Sequence, residues 1–251
     1  KVLLTFGGAF SNHIAAVAAA GATYGFETIG IIRGEELVDK IAENSTLTFA
    51  QNRGMKFEFW NRLEYRNKED EKLIAILREK YDDFYLIPEG GTNALAVKGC
   101  EEILTDEDAK FDYICCAVGT GGTISGLINS SFSHQQVLGF PAVRSENLGK
   151  IIEDVVTNKR WNLIDEYHFG GYAKINSELV DFINDFKDQT TVQLDPVYTA
   201  KMVFGVVDLI DKEYFPENSK ILLIHTGGLQ GISGMNKFLE KKQLPTIKYN
   251  D

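Results

Sequence analysis

Short apolar runs alternate with helix-length stretches along almost the whole chain, and this alternation restricts the fold more than any other feature. Residues 2–6, 28–32, 56–60, 84–87, 113–118, 136–140 and 220–225 have the length and the β-branched or aromatic content of strands. Residues 11–24 form an Ala-rich helical stretch and 68–81 a charged amphipathic one, while 176–187 and 199–212 repeat apolar residues at i, i+3 and i+4. Most strand pairs are separated by enough chain for a crossover helix, which parallel pairing requires. The predicted class is α/β, with mostly parallel twisted sheets flanked by helices.

The 251 residues contain five prolines and no Ser/Gly tract, so no tether, low-complexity segment or fixed-period repeat divides them. The turn Pro88-Glu89-Gly90-Gly91 ends one four-strand series, which predicts a smaller lobe over 1–90 and a larger cofactor-binding lobe over 91–251. A cleft between two such lobes is a usual place for a ligand. With 26 Lys+Arg against 36 Asp+Glu the net charge is −10, which argues against nucleic acid as a partner. No apolar stretch approaches the roughly 18 to 20 residues that span a bilayer. Cys100, Cys115 and Cys116 show no metal spacing and read as reduced cysteines of a cytoplasmic protein. His13, His134, His168 and His225 form no HxxxH or HxH pair, so no metal site is expected.

Three Gly-Gly turns follow strands. In the first, Gly119-Thr120-Gly121-Gly122-Thr123 stands between a strand and a helix, where freed backbone amides at a helix N-terminus make an anion cradle and Thr120 and Thr123 add hydroxyls. The same glycines would also serve a tight turn that needs only positive φ. The turn lacks the Gly-Lys-Ser/Thr ending of a P-loop, and no acidic ribose partner is evident downstream, which leaves a phosphorylated cofactor without a ribose. In the second, Gly7-Gly8 leads to Ser11, an ordinary N-cap by type, followed by Asn12 and His13 in the first helical turn. The third, His225-Thr226-Gly227-Gly228, follows the last strand. Tyr198, after Asp195-Pro196-Val197, reads either as a core aromatic or as a ring stacked on a flat cofactor with a phenol for proton transfer.

Taken in order, GGAFSNH, PEGGTN, VGTGGT, HFGGY, LDPVYT and HTGGLQG resemble the pyridoxal-phosphate enzymes grouped as D-cysteine desulfhydrase and 1-aminocyclopropane-1-carboxylate (ACC) deaminase, with the tryptophan synthase β-like fold, fold type II. The resemblance implies pyridoxal 5'-phosphate as cofactor, a small amino-acid substrate and a homodimer. It implies that Gly119, Thr120, Gly121, Gly122 and Thr123 hold the phosphate, that Asn12 bonds the phenolic oxygen of the cofactor and contacts substrate, and that Thr226 approaches the pyridine nitrogen. Tyr198 would stack on the ring and, with Ser11 and Tyr172, take part in catalysis. Ser11 and His13 would flank the substrate carboxylate and reacting carbon, and Tyr172 the substrate side.

The deaminase branch usually carries an acidic residue where Thr199 stands and an apolar one where Thr226 stands. The resemblance therefore leans to desulfhydrase-type β-elimination, with ACC deaminase as the alternative and a binding protein without turnover as a third reading. The family's Schiff-base lysine lies upstream of the SNH motif. Lys1 precedes an opening strand and is no substitute, so a segment carrying that lysine is expected before residue 1 in the parent protein. The polypeptide alone is then expected to lack desulfhydrase and deaminase activity, unless Lys174 or Lys201 takes over the role.

Overall fold

The structure is a computed structural model and describes residues 1–249. It divides into two compact units, Lys1–Gly91 and a second from Thr92 onward. The first runs β1 (Val2–Gly8), α1 (Asn12–Tyr24), β2 (Glu27–Arg33), α2 (Ser45–Gln51), β3 (Lys56–Trp60), α3 (Arg62–Arg66), α4 (Glu71–Tyr81) and β4 (Phe84–Ile87). Its sheet has the order β3-β2-β1-β4, and every pairing is parallel.

The second unit runs α5 (Ala94–Cys100), β5 (Tyr113–Val118), α6 (Gly122–Ser130), β6 (Gln136–Pro141), α7 (Leu148–Glu153), β7 (Trp161–Leu163), α8 (Ser177–Thr190), α9 (Thr199–Asp211), β8 (Ile221–Ile224) and α10 (Ile232–Lys241). Its sheet order, β7-β6-β5-β8, repeats the winding of the first, again all parallel. The α/β class with two parallel sheets is thus present as the sequence predicts. No helix among the described residues is long and apolar enough to cross a membrane.

The inner strands β1, β2, β5 and β6 are buried on both faces, which is why they are apolar almost throughout, whereas the edge strand β3 alternates Lys56-Phe57-Glu58-Phe59. In the first unit Leu4, Phe6, Ile29 and Ile31 pack on one face with Leu77 and Phe84, while Ile32, Met55 and the α1 residues Ile14, Val17 and Ala18 fill the other. In the second, Cys115, Ala117, Leu138 and Phe140 pack against α8 and α9, and Ile114, Cys116, Val118 and Val137 against α6 and α7. Successive strand residues point to opposite faces, so each sheet sorts its own sequence into two cores.

The charged stretch at 68–81 begins as a helix only at Glu71, because the Asp70 side chain accepts the Lys72 amide at 2.8 Å and caps the first turn there. β7 was not legible as a strand, since its three residues stand between Lys159-Arg160 and Asp165-Glu166. It joins the sheet as an edge, pairing only with β6.

Close packing across the second sheet depends on a missing side chain. A Cβ at Gly139 would lie 2.4 Å from Ile124 Cδ1 and 2.8 Å from both Leu163 Cδ2 and Val118 Cγ2. Ile124 and Val118 are buried and have no room to retreat. Gly139→Ala should therefore lower unfolding free energy by about 1–3 kcal/mol, the usual cost of overpacking. Urea denaturation of the variant beside wild type checks this, and equal midpoints would refute the packing argument.

Candidate functional site

In each unit the strand order reverses beside its first strand, between β1 and β4 and between β5 and β8. Open parallel sheets leave a crevice outside the carboxyl ends of the strands at such a point. All the Gly-Gly turns singled out in the sequence lie there: Gly7-Gly8 ends β1, Gly90-Gly91 follows β4, residues 119–123 follow β5, and Gly227-Gly228 follows β8.

In the first unit Ser11 is the N-cap of α1, its Oγ accepting the Ile14 amide at 3.4 Å. That leaves the hydroxyl proton of Ser11 free to donate elsewhere. Asn12 and His13 form the first turn of α1 and are half-buried. His13 Nε2 lies 2.6 Å from Thr5 Oγ1, and that hydroxyl donates its single proton to the Ile87 carbonyl at 2.9 Å. Thr5 can then only accept from the histidine, so Nε2 carries the hydrogen. A neutral His13 presents a lone pair at Nδ1. A Cβ built on Gly91 would come within 3.1 Å of that Nδ1, so the glycine after β4 keeps the ring edge uncovered by a side chain. Burial pushes the His13 pKa down to about 4, with the Glu89 carboxylate acting in the opposite sense. Glu89 is itself held by Tyr65 Oη at 2.7 Å and Lys68 Nζ at 3.2 Å.

In the second unit the Gly119-Thr120-Gly121-Gly122-Thr123 turn joins β5 to α6. Gly121 adopts φ +95, a left-handed conformation that favours glycine. Gly122 and Thr123 open α6, where amides have no intrahelical acceptor, and Gly119 and Thr120 are exposed. Thr120 and Thr92 share a hydroxyl–hydroxyl bond of 2.5 Å. The ring of Tyr198 covers Gly119: a Cβ there would sit 3.3 Å from Tyr198 Cε1 and 3.5 Å from its Oη. Thr226 is exposed at the end of β8. The adjacent His225 is occupied structurally, with Nε2 donating to the Gln193 carbonyl at 2.9 Å and Nδ1 accepting the Gly227 amide at 3.1 Å.

Tyr198 stands at the N-cap position of α9 and is held there by Asp195. The Asp195 side chain is 1% exposed; its Oδ1 accepts the amides of Val197 at 2.9 Å and Tyr198 at 3.0 Å. Its Oδ2 accepts the amide and the hydroxyl of Thr199, both at 2.7 Å. Thr199 is therefore buried and committed to the cap. Tyr172, half exposed, meets Tyr198 edge-on with ring centroids 6.0 Å apart. Lys174 is exposed, whereas Lys201 is buried with its Nζ on backbone carbonyls.

The candidate residues thus fall into two groups. Ser11, Asn12 and His13 share the first turn of α1 in one unit. The 119–123 turn, Tyr198 and Tyr172 share the other, with Thr226 at the neighbouring strand end. Sequence reasoning assigned no role to Thr5 or Asp195 and offered Lys201 only as a substitute Schiff-base lysine. Asp-Pro placed four residues before a threonine at a helix start is a local capping signal that points to Asp195. Thr5 carries no such signal, lying inside an apolar strand. Among the described residues no group of three or more His, Cys, Asp or Glu could hold a metal ion.

The His13 geometry has a pH consequence. Its folded pKa, about 4, lies below the ordinary imidazole value of 6.5, so the unfolded chain binds more protons between these values. The stabilisation is complete above pH 6.5 and is lost as pH falls through 4, by about 3 kcal/mol in total. Denaturation of wild type and His13→Gln at pH 7 and pH 4 should show the variant losing less stability on acidification; parallel losses would contradict the burial account.

The family model described as pyridoxal-phosphate dependent enzyme matches residues 3–227. A protein of Pyrococcus horikoshii provisionally named 1-aminocyclopropane-1-carboxylate deaminase is 32% identical, covering 92% of this chain and 74% of its own. The mitochondrial bifunctional D-cysteine desulfhydrase/1-aminocyclopropane-1-carboxylate deaminase of Arabidopsis thaliana is 30% identical over 92% of this chain and 64% of its own. A crystal structure of an ACC deaminase homologue superposes with a TM-score of 0.80 at 29% identity, covering 96% of this chain and 78% of that one. A threonine deaminase structure, at 17% identity and TM-score 0.61, shares the fold. The extent of the family match and the similarity to these relatives show that the chain belongs to the pyridoxal-phosphate-dependent enzyme family.

Proposed function

We propose that the enzyme catalyses β-elimination from a small amino acid bearing a β-leaving group, as a desulfhydrase does. The observation that carries this reading is the 119–123 turn with the Tyr198 ring laid against Gly119. A glycine-rich run of amides with two flanking hydroxyls, opening a helix beside an aromatic face, fits a phosphorylated, flat cofactor. Bound pyridoxal phosphate supplies an electron sink for the pair left at the α-carbon when its proton departs.

The chain's own residues divide the remaining work. Gly119, Thr120, Gly121, Gly122 and Thr123 hold the phosphate, and Tyr198 supports the ring face. Asn12 bonds the phenolic oxygen and reaches the substrate. Thr226 would offer a hydroxyl, not a carboxylate, to the pyridine nitrogen, a neutral partner that would leave the cofactor a weaker electron sink and so suit a substrate with a good β-leaving group. Ser11 Oγ donates to the substrate carboxylate. His13, neutral and with Nε2–H committed to Thr5, is a hydrogen-bond acceptor at Nδ1, suited to orient a donor near the reacting carbon and not to bind a carboxylate. Tyr172 and the Tyr198 phenol line the substrate side. A homodimer and a cytoplasmic location complete the proposal; the free Cys100, Cys115 and Cys116 support the second.

The ACC deaminase alternative rests on the names of the relatives. Parallel assays of a protein that includes the Schiff-base lysine decide: sulfide and pyruvate from cysteine should exceed 2-oxobutyrate from ACC in kcat/KM. Faster release from ACC would overturn the desulfhydrase reading. Tyr198→Phe keeps the stacking ring and loses the phenol, so it should lower kcat about 10²- to 10⁴-fold with cofactor affinity retained. Undiminished turnover would reduce Tyr198 to a support.

A further inference from the structure

Lys201 sits in the first turn of α9, the single charge in the run Ala-Lys-Met-Val-Phe-Gly-Val-Val, and is 1% exposed. A buried ammonium needs full compensation. Among the described residues it forms no salt bridge. Its Nζ donates to the carbonyls of Gly171 at 2.8 Å and His168 at 2.9 Å, with the Ala142 carbonyl at 3.4 Å. Three acceptors match the three hydrogens of an ammonium. Burial pushes its pKa down to about 8 while the nearby Asp195 carboxylate acts the other way, so the charged form prevails at neutral pH.

Two of those carbonyls belong to one unusual turn. Phe169 and Ala173 have φ +54 and +53, and between them Gly170 and Gly171 have φ +90 and +128. Non-glycine residues adopt that region only when the surroundings enforce it. The turn's own bonds are few: Gly171 N to His168 O at 3.0 Å, Lys174 N to Gly171 O at 3.1 Å, and Gly170 N to His168 Nδ1 at 2.9 Å. Tyr172 stands inside it, against Tyr198, and Tyr198 begins the helix from which Lys201 projects.

We propose that Lys201 is a positioning residue, a built-in cation whose ammonium gathers the carbonyls of the 168–171 turn and so holds Tyr172 beside Tyr198. Its donors are spent on the backbone, so it is not a substitute for a Schiff-base lysine. The clamp is a property of the fold, whereas its effect on turnover rests on the reading that Tyr172 serves the substrate. Arginine is no equivalent, because a planar guanidinium cannot direct three hydrogens at these carbonyls from one nitrogen.

Lys201→Met keeps the apolar stem and removes the donors. In the enzyme, hydrogen exchange read by mass spectrometry should show lost protection at residues 168–174 with β5, β6 and β8 unchanged. The kcat/KM should fall about 10- to 100-fold, the effect of a small misplacement. The same substitution made in Tyr172→Ala should cost little, since the lysine acts through the tyrosine. Unchanged exchange in the turn, or equal kinetic losses in both backgrounds, overturns the proposal. If Lys201→Met does not fold, native wild type is treated with an amine-acylating reagent at pH 7: exposed Lys174 should react and Lys201 stay intact, and equal labelling overturns the clamp. If the exchange result holds but Tyr172→Ala alone leaves kinetics untouched, the clamp stands and the assignment of Tyr172 to the substrate falls.

Discussion

Parallel pairing is the constraint on which the rest of the structure depends. A strand that pairs parallel with its neighbour obliges the chain to travel back over a sheet face before each new strand. Both faces are thereby covered, and all the carboxyl ends of a sheet collect along one edge. The backbone groups at that edge have no further strand to bond. Glycine turns and helix N-termini occupy it in both units, after β1 and β4 in one and after β5 and β8 in the other. The crevice edge is a consequence of how the sheets are wound, and the individual residues only specialise it.

Two buried charges, six positions apart, settle the geometry around Tyr198 by opposite means. Asp195 satisfies its carboxylate with three amides and a hydroxyl at the start of α9. Lys201 satisfies its ammonium with carbonyls from a separate turn. Neither relies on an ion pair at hydrogen-bond distance, so each charge fixes backbone rather than another side chain. Backbone groups cannot swing away as a side chain can, which suits positions where a ring must stand still. Thr5 does comparable work in the first unit, where one hydroxyl proton decides which nitrogen of His13 carries hydrogen.

Much of the fold was legible because burial on both faces leaves long apolar runs that few other elements imitate. The three-residue β7 escaped notice, being too short for any period and flanked by charge. The short helices α2, α5 and α7 escaped for a related reason: seven residues or fewer give at most two turns in which to display an amphipathic pattern. At the site, Gly119 to Thr123, Ser11 and Tyr198 announce themselves through glycine, capping and aromatic chemistry next to strand ends. Lys201 stood out only as a substitute Schiff-base lysine, and its actual partners are backbone carbonyls that no sequence pattern marks. Thr5 is the hardest case, because its importance lies in a hydrogen bond donated to the Ile87 carbonyl and one accepted from His13.

The winding also sets the order in which each crevice can exist during synthesis. In the first unit Val2 pairs with Glu27 on one side but with Phe84 on the other. In the second, Tyr113 pairs with Gln136 and then with Ile221. The crevice edge of each sheet is closed by its most distant strand, so near neighbours meet first and the loop-closure entropy of the last pairing is met at the end. As the chain leaves the ribosome, each half-finished sheet exposes the flank of its first strand, β1 or β5, as an unpaired edge. An unpaired edge of this kind is a template for pairing with another chain. The crevice of each unit is thus also a place that needs protection from neighbouring chains until synthesis has passed it.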